Sequence, residues 1–583
     1  MAAGCTSLPG MALRRLAPFA AAFALLTLGP PAPALGAENP AGQPPFGAEP
    51  LAPLVEVDRL DSRLRGFELT AAEAIAIADR APEVVEERQQ DSPGMRPQVF
   101  TRGSDRWQIS YFDAGAEVAQ AVIDDRTGEV VEAWRDHQVE VKLARGYEDA
   151  VAGNVSEGWI WIPLCVIFFL PFFDPKRPFR LLHLDLIVLL GFSASQFFFN
   201  KGEIVVSVPL VYPVLAYLFV RMLLAGTLPR QRPGPLIPLI PVRWLAYGAV
   251  ALAAFRIGLN IIDSQVIDIG FAGVVGADRI AGGEGIYDGQ FTPLVDRGDS
   301  YGPLNYLLYV PFEQLFPWAG GLESLPAAHA FTIFFDLLVV GLLVVLGRRL
   351  RGGAEGRALG VALAFAWLAY PYTLYALNVN GNDEVVAAAL VAALLLIHSP
   401  AGRGFVIACG AAAKFGPLAL APMFAAGTGE RRWRSAVIFG AVFIAVWALV
   451  LLPLLPDGGL REFYDRSFGY QASRGSPFSV WGLEPSLDWL QKLARLAPVV
   501  LGIALFFVPG KRTVTQIAAL GAALLILTQV GSTHWFYFFI LWWAPYVLVT
   551  LFAGQERIAA RTRDLNADVS GRASSAAHPA SAS

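Results

Sequence analysis

Cysteine is almost missing from this 583-residue chain: Cys5, Cys165 and Cys409 stand far apart, two of them inside apolar runs. None lies between residues 38 and 157, so a disulfide framework and a zinc site of the C-x-x-C kind are excluded for that region. Charge is scarce as well. Asp, Glu, Lys and Arg make up 16% of residues, against about 25% in soluble domains. The net charge of −4 is too small to imply a nucleic-acid partner. The 56 glycines and 41 prolines sit among Leu, Phe and Val, without the polar bulk that disorder needs. What fills the chain is apolar: 55% hydrophobic residues and a mean hydropathy of +0.48. These values describe a polytopic membrane protein.

Arg14 and Arg15 precede an apolar run from Leu16 to Leu28, followed by small residues up to Ala37. That order reads as a secretory signal over residues 1–37. Residues 38–157 contain no run long enough to span a bilayer and carry 24 acidic against 12 basic side chains. They are expected to fold outside the cell. Within them, residues 69–78 read as a Thr70-capped helix. Residues 107–111 and 119–124 read as strands, and Asp124 to Val130 as a D-x-x-T-G-x-V turn into a third. Helix, then strands, then this turn resembles a PepSY-like domain. The resemblance implies a small α+β accessory or binding module.

From Gly158 onward, apolar runs suited to membrane helices recur. Eleven are expected, near 158–173, 181–200, 204–225, 244–262, 327–347, 356–377, 383–398, 434–455, 489–509, 513–530 and 535–553. The fold class is thus an all-α polytopic bundle carrying a small α+β extracytoplasmic domain. Lys176, Arg177 and Arg180, then Arg230, Arg232 and Arg243, then Arg348, Arg349 and Arg351, then Lys511 and Arg512 fall on one face, taken as the cytoplasm. Two stretches break the series. Residues 302–318 hold Pro303, Pro311, Pro317 and Glu313 and are expected to lie at the interface. Residues 404–425, with Lys414 and Pro417, are expected to enter and return as a re-entrant pair of short helices. The tail, 554–583, is expected to be disordered in the cytoplasm.

This topology leaves four polar segments outside: Asp263 to Gly302, Asn378 to Glu384, Asp457 to Trp481, and Ser532 to Trp535. The cytoplasmic loops are short and carry little beyond arginine. A site assembled from several outer loops is the expectation.

The residues in these loops make the pattern specific. An acid follows an inside-to-outside helix, then come A-D-R-I-x-x-G-x-x-I-Y (Ala277 to Tyr287) and Y-G-P-L-x-Y (Tyr301 to Tyr306). An outer N-x-N-D-E follows at Asn380 to Glu384, and an A-A-x-K-F-x-P-L stretch ends at Leu418. In this order they resemble the GT-C glycosyltransferases, in particular the bacterial polyprenol-phosphate-mannose transferases, over residues 244–553. Residues 158–243 are extra to that pattern and read as accessory membrane helices. The resemblance implies a polyprenyl-phosphate sugar as donor, mannose by analogy, a cell-envelope glycolipid, glycan or protein as acceptor, and inversion at the anomeric carbon. The absence of a D-x-D motif and of a G-x-x-x-x-G-K-[ST] loop agrees with a lipid-linked donor. It also leads us to expect neither metal nor cofactor.

The same resemblance puts Asp268 nearest the position of the general base, with Asp263 and Asp278 as alternatives and loop solvation as the bland reading of all three. Asp299 precedes the Tyr301-Gly302-Pro303 turn, as an acceptor contact or as Asx chemistry of the turn. Asp383 starts a helix, where capping alone accounts for an acid. Lys414 is the costly residue: a lysine at mid-membrane costs about 2.5–3.5 kcal/mol even on mild scales. It is expected either to bind phosphate or pair inside the bundle, or to snorkel toward the inner arginines. Arg474 and His534 are the outer cations available to a donor phosphate. A transporter, a sensor using residues 38–157, and a haem or flavin redox protein are the other classes this sequence admits. The last has little support, because haem needs paired axial ligands and the histidines of the membrane part, His183, His329, His398 and His534, fall at different depths.

Overall fold

The computed structural model describes residues 54–57, 59–61, 63–140, 152–228, 240–288, 298–321, 325–473 and 476–553. The signal segment, Arg474 and the tail 554–583 lie outside these residues.

The N-terminal part is an antiparallel meander of five strands in the order β1 (Leu54–Glu56), β2 (Arg96–Arg102), β3 (Arg106–Asp113), β4 (Ala116–Asp124) and β5 (Val130–Arg135). Two helices, Ala71–Ala78 and Pro82–Gln90, are inserted between β1 and β2. Trp107, Ile109 and Tyr111 of β3 and Ala119, Ala121 and Ile123 of β4 alternate onto one face and form a core with Ala71, Ala74, Ala78 and Val84. The expected cap is present. Thr70 Oγ1 accepts from the Glu73 backbone N–H at 3.2 Å, and the Glu73 carboxylate accepts from the Thr70 N–H at 2.8 Å. The turn after β4 is built on Asp124, whose Oδ1 accepts from the backbone N–H groups of Arg126 and Thr127 at 3.0 and 2.9 Å. Gly128 follows at φ +67, a left-handed position that favours glycine. Asp125, buried, accepts from the N–H groups of Glu68 and Leu69 and from the Trp107 indole at 2.6, 3.0 and 2.8 Å. It ties the helix entrance to the sheet. The second helix and the first two strands were not expected from sequence.

The remainder is helical. Among the described residues, six helices are long and apolar enough to cross a membrane: Leu181–Phe199, Ile204–Thr227, Val242–Ile262, Pro326–Arg351, Arg432–Leu454 and Pro485–Phe507. A seventh is bent: Gly353–Ala369 and Pro371–Leu377 meet at 62°. Gly158–Phe172, Val514–Val530 and Tyr537–Ala553 are apolar but shorter, and the helix expected over 383–398 ends at Leu395. By length and composition the described residues thus supply six candidate crossings, or seven with the bent pair, and do not confirm the expected eleven. This is a multi-pass membrane protein.

Two features bear on the site. The bend at Tyr370-Pro371 frees backbone carbonyls, and an interior cation satisfies them. Arg256, fully buried, donates to Leu368 O at 3.2 Å, to Thr373 O at 3.1 Å and to Asp336 Oδ1 at 2.7 Å. The excursion expected to be re-entrant does return. Helix Pro400–Ala413 runs in, residues Gly416–Leu420 and helix Ala421–Ala426 run back, and Arg403 at the start donates to Ile397 O at 2.7 Å and to Phe424 O at the far end at 2.5 Å. Both ends of the excursion are thus fastened together, and its tip is Lys414.

Candidate active site

The site is made by a clasp between two of the polar segments expected to lie outside. After helix Val242–Ile262 the chain runs extended, and the N–H groups of Gln265 and Ile267 donate to the carbonyls of Asn378 and Val379, each at 3.0 Å. Asn380 sits at φ +51, a left-handed position that asparagine tolerates better than most residues. Its amide donates to Ser264 Oγ at 2.9 Å and to Gln265 O at 2.7 Å, while its Oδ1 accepts from Asn260 at 2.9 Å. Two helices start from this clasp: Asp268–Ala281, opening on Asp268, and Asp383–Leu395, opening on Asp383. Gly270 allows the approach, since a Cβ there would lie 2.2 Å from Asn380 O.

Asp268 and Asp383 line one cavity of about 220 Å³ together with Lys414 and His534. Ser300, Gln471 and Gln529 add uncharged polar groups, and Phe415, Phe536, Phe538, Phe539 and Trp542 form an aromatic wall. Lys414 ends its helix: its backbone is extended at φ −145, and its side chain leaves toward the cavity rim. Nζ lies 2.6 Å from Asp383 Oδ1, 5.7 Å from the Phe539 ring centre and 5.6 Å from that of Trp542. Trp542 Nε1 donates to the same Asp383 oxygen at 2.6 Å. The lysine therefore meets a buried carboxylate and two aromatic faces, rather than snorkelling toward the inner arginines. Glycines again permit the approach. A Cβ at Gly302 would lie 2.0 Å from Ala412 O, and one at Gly416 would lie 2.2 Å from the Trp542 ring.

The other expected site residues fall elsewhere. Asp263 follows the last turn of its helix and accepts from Asn154 Nδ2 at 2.5 Å, away from the cavity lining. Asp278 lies in the last turn of helix Asp268–Ala281, a segment expected to be loop. The lining does not include it, and its neighbour Arg279 pairs with Asp288 at 2.7 Å. Asp299 is buried against Arg466 at 3.1 Å, one residue from the lining residue Ser300. Arg474 lies outside the described residues. His534 does line the cavity, with Nδ1 2.9 Å from Ser476 Oγ. Asp268 Oδ1 accepts from the Ile269 N–H at 2.8 Å, within its own first turn.

Sequence reasoning gave several neighbours no role in the site. Arg466 joins Asp299 to Glu462 (2.9 Å), and this bond holds the Glu462 carboxyl below its ordinary value. Gln471 donates to Ser300 Oγ at 3.0 Å, so two adjacent bonds dock the segment carrying Arg466 and Gln471 beside the cavity. Gln529 accepts from the indoles of Trp535 and Trp543 at 3.1 and 3.0 Å and donates to Phe539 O at 2.8 Å, which braces the aromatic wall. A glutamine at the end of a long apolar stretch, Ile517 to Leu527, was the available signal.

Residues 300–553 match the model of glycosyltransferase family 87, a GT-C-like membrane family. The matched span contains the Tyr301-Gly302 turn, Asp383, Lys414, Gln529 and His534, and begins after Asp268. The enzyme class that follows is glycosyltransferase. No curated protein matches the chain.

Proposed function

We propose that the protein transfers a sugar, mannose by its resemblance to polyprenol-phosphate-mannose transferases, from polyprenyl phosphate to a cell-envelope glycolipid, glycan or protein. The reaction takes place on the outer face of the plasma membrane, with residues 38–157 outside and the C-terminus inside. One observation carries this reading: a carboxylate, a lysine and a histidine from segments far apart in sequence converge on a cavity with an aromatic wall. A lipid-linked donor stays in the bilayer. It needs an apolar approach, cations for its phosphodiester, and a base for the acceptor hydroxyl. Asp268 is that base, acting in a single inverting displacement. Lys414 and His534, with Arg474, hold the phosphate. Neither metal nor cofactor takes part. The exported sheet domain, PepSY-like by its sequence resemblance alone, is an accessory module outside the chemistry.

The test offers the full chain in lipid nanodiscs radiolabelled polyprenyl-phosphate mannose, in parallel with a soluble nucleotide-mannose, and extracted envelope acceptors. Label should reach acceptor from the lipid-linked donor alone and survive EDTA. Transfer from the nucleotide sugar, or loss with EDTA restored by Mg²⁺ or Mn²⁺, would overturn the donor or the metal-free reading respectively.

A further inference from the structure

We infer that Asp383 selects the donor by accepting a hydrogen bond from the sugar hydroxyl next to the anomeric carbon. The inference rests on the reading of this cavity as the donor site. Asp383 has a side chain only 3% exposed, yet it lines the cavity. Its Oδ1 accepts twice, from Lys414 Nζ and Trp542 Nε1, both at 2.6 Å. Among the described residues its Oδ2 accepts from no donor. An ionised carboxylate is acceptor-only, with room for about four hydrogen bonds. Oδ2 is open to the cavity, where water can serve it until a ligand displaces that water. A ligand that takes the water's place beside Asp383 must then bring a donor of its own, or leave the oxygen unsatisfied.

A phosphate does not fit that description, because it is an acceptor and an anion. A sugar hydroxyl does. Lys414 ties the two requirements together: its ammonium has three N–H donors, of which Asp383 takes one, and the others remain for a phosphodiester. In a sugar phosphate a single oxygen separates phosphorus from the anomeric carbon. A ligand with its phosphate on Lys414 therefore brings the hydroxyl of the adjacent ring carbon beside Asp383. Trp542 and Phe539, under the lysine, give that ring an apolar face to lie on. Discrimination follows in two ways. A donor lacking that hydroxyl offers Oδ2 no hydrogen bond. The spent carrier, polyprenyl phosphate, offers Asp383 no donor and adds negative charge, so it leaves readily after transfer.

The experiment compares polyprenyl-phosphate mannose with its 2-deoxy counterpart on the full chain in nanodiscs. A hydrogen bond to a charged group predicts a preference of about 10- to 150-fold in kcat/KM for the hydroxylated donor. Asp383→Asn keeps the size and an acceptor for Trp542, and the preference should collapse toward unity. Lys414→Met should weaken use of both donors while keeping their ratio. If Asp383→Asn turns over too slowly, the ratio of donor binding constants measured without turnover gives the same reading. Equal use of both donors by the unmodified enzyme, or an undiminished preference in Asp383→Asn, would overturn the inference. Transfer from neither lipid-linked donor would overturn the donor reading, and this inference with it.

Discussion

Gly270 and Asn380 touch backbone to backbone: a Cβ on Gly270 would stand 2.2 Å from the Asn380 carbonyl oxygen. This contact sets the spacing between the two helix starts that carry Asp268 and Asp383. In Gly270→Ala the carbonyl cannot move freely, because hydrogen bonds to Ser264, Gln265 and Asn260 hold Asn380. The helix must shift instead. Overpacking of this kind costs about 1–3 kcal/mol, and a 1 Å misplacement of reacting groups about 10²-fold in rate. We predict a folded, slightly less heat-resistant protein with strongly reduced transfer. Unchanged turnover in Gly270→Ala would show that this spacing does not matter.

Topology gives a second prediction. If residues 38–157 and the first loop of the site share the outer face, single cysteines at Ser104 and Glu284, introduced after replacing the native three, should react with an impermeant maleimide in intact cells. A cysteine at Ala354, exposed at the start of helix Gly353–Ala369, should react only after permeabilisation. Reaction at Ala354 alone would turn the map over and put the cavity inside.

The N-terminal sheet domain has a pH dependence whose sign can be worked out. Backbone and side-chain bonds from Thr70 hold the Glu73 carboxyl below its ordinary value, and those from Thr127 do the same for Asp124. A carboxyl depressed in the folded state stabilises at pH above its unfolded value and loses that contribution as pH falls through the folded one. The first helix and the β4–β5 turn should therefore loosen below about pH 4, where free carboxyls protonate. Amide exchange at Glu73, Thr127 and Gly128 should accelerate there. Exchange that is flat from pH 7 to pH 3, after correction for intrinsic rates, would contradict it.

Local chemistry was the legible part of this molecule. Thr70 ahead of apolar residues at helical spacing announced a helix start, and D-x-x-T-G announced the turn. Lys414 followed by Pro417, with arginines on both sides, announced a chain that enters and returns. Each signal lies within a few residues of what it determines. The helix Asp268–Ala281 was not legible: its sequence is rich in glycine and carries Asp278 and Arg279, so it read as a polar loop. Those glycines serve packing, since Gly273 and Gly276 let Tyr309 and Tyr306 come within 2.4 and 2.3 Å of where a Cβ would stand. Such close approaches depend on residues some 30 positions away, which no local pattern reports. The same holds for Lys414 and Asp383, each noticed singly and paired only by the fold.

The chemical prediction concerns Asp268. An acceptor alcohol is too weak an acid to ionise near neutral pH, so its proton must leave as the new bond to the anomeric carbon forms. A placed carboxylate typically supplies about 10²–10⁴-fold through general-base action. Asp268 lines the cavity at the first position of its helix and is tied to that helix by the Ile269 N–H, so its carboxylate is held rather than free to swing. Asp268→Asn keeps this bond and the size while removing the basicity. Turnover should fall by about 10²–10⁴-fold with donor binding nearly unchanged. Lys414→Met and His534→Ala should do the reverse, raising the donor concentration required. Asp263→Asn and Asp278→Asn, whose carboxylates lie off the cavity lining, should stay close to the unmodified enzyme. A large loss in either of these two, with Asp268→Asn near normal, would move the base to a neighbour and displace the present assignment.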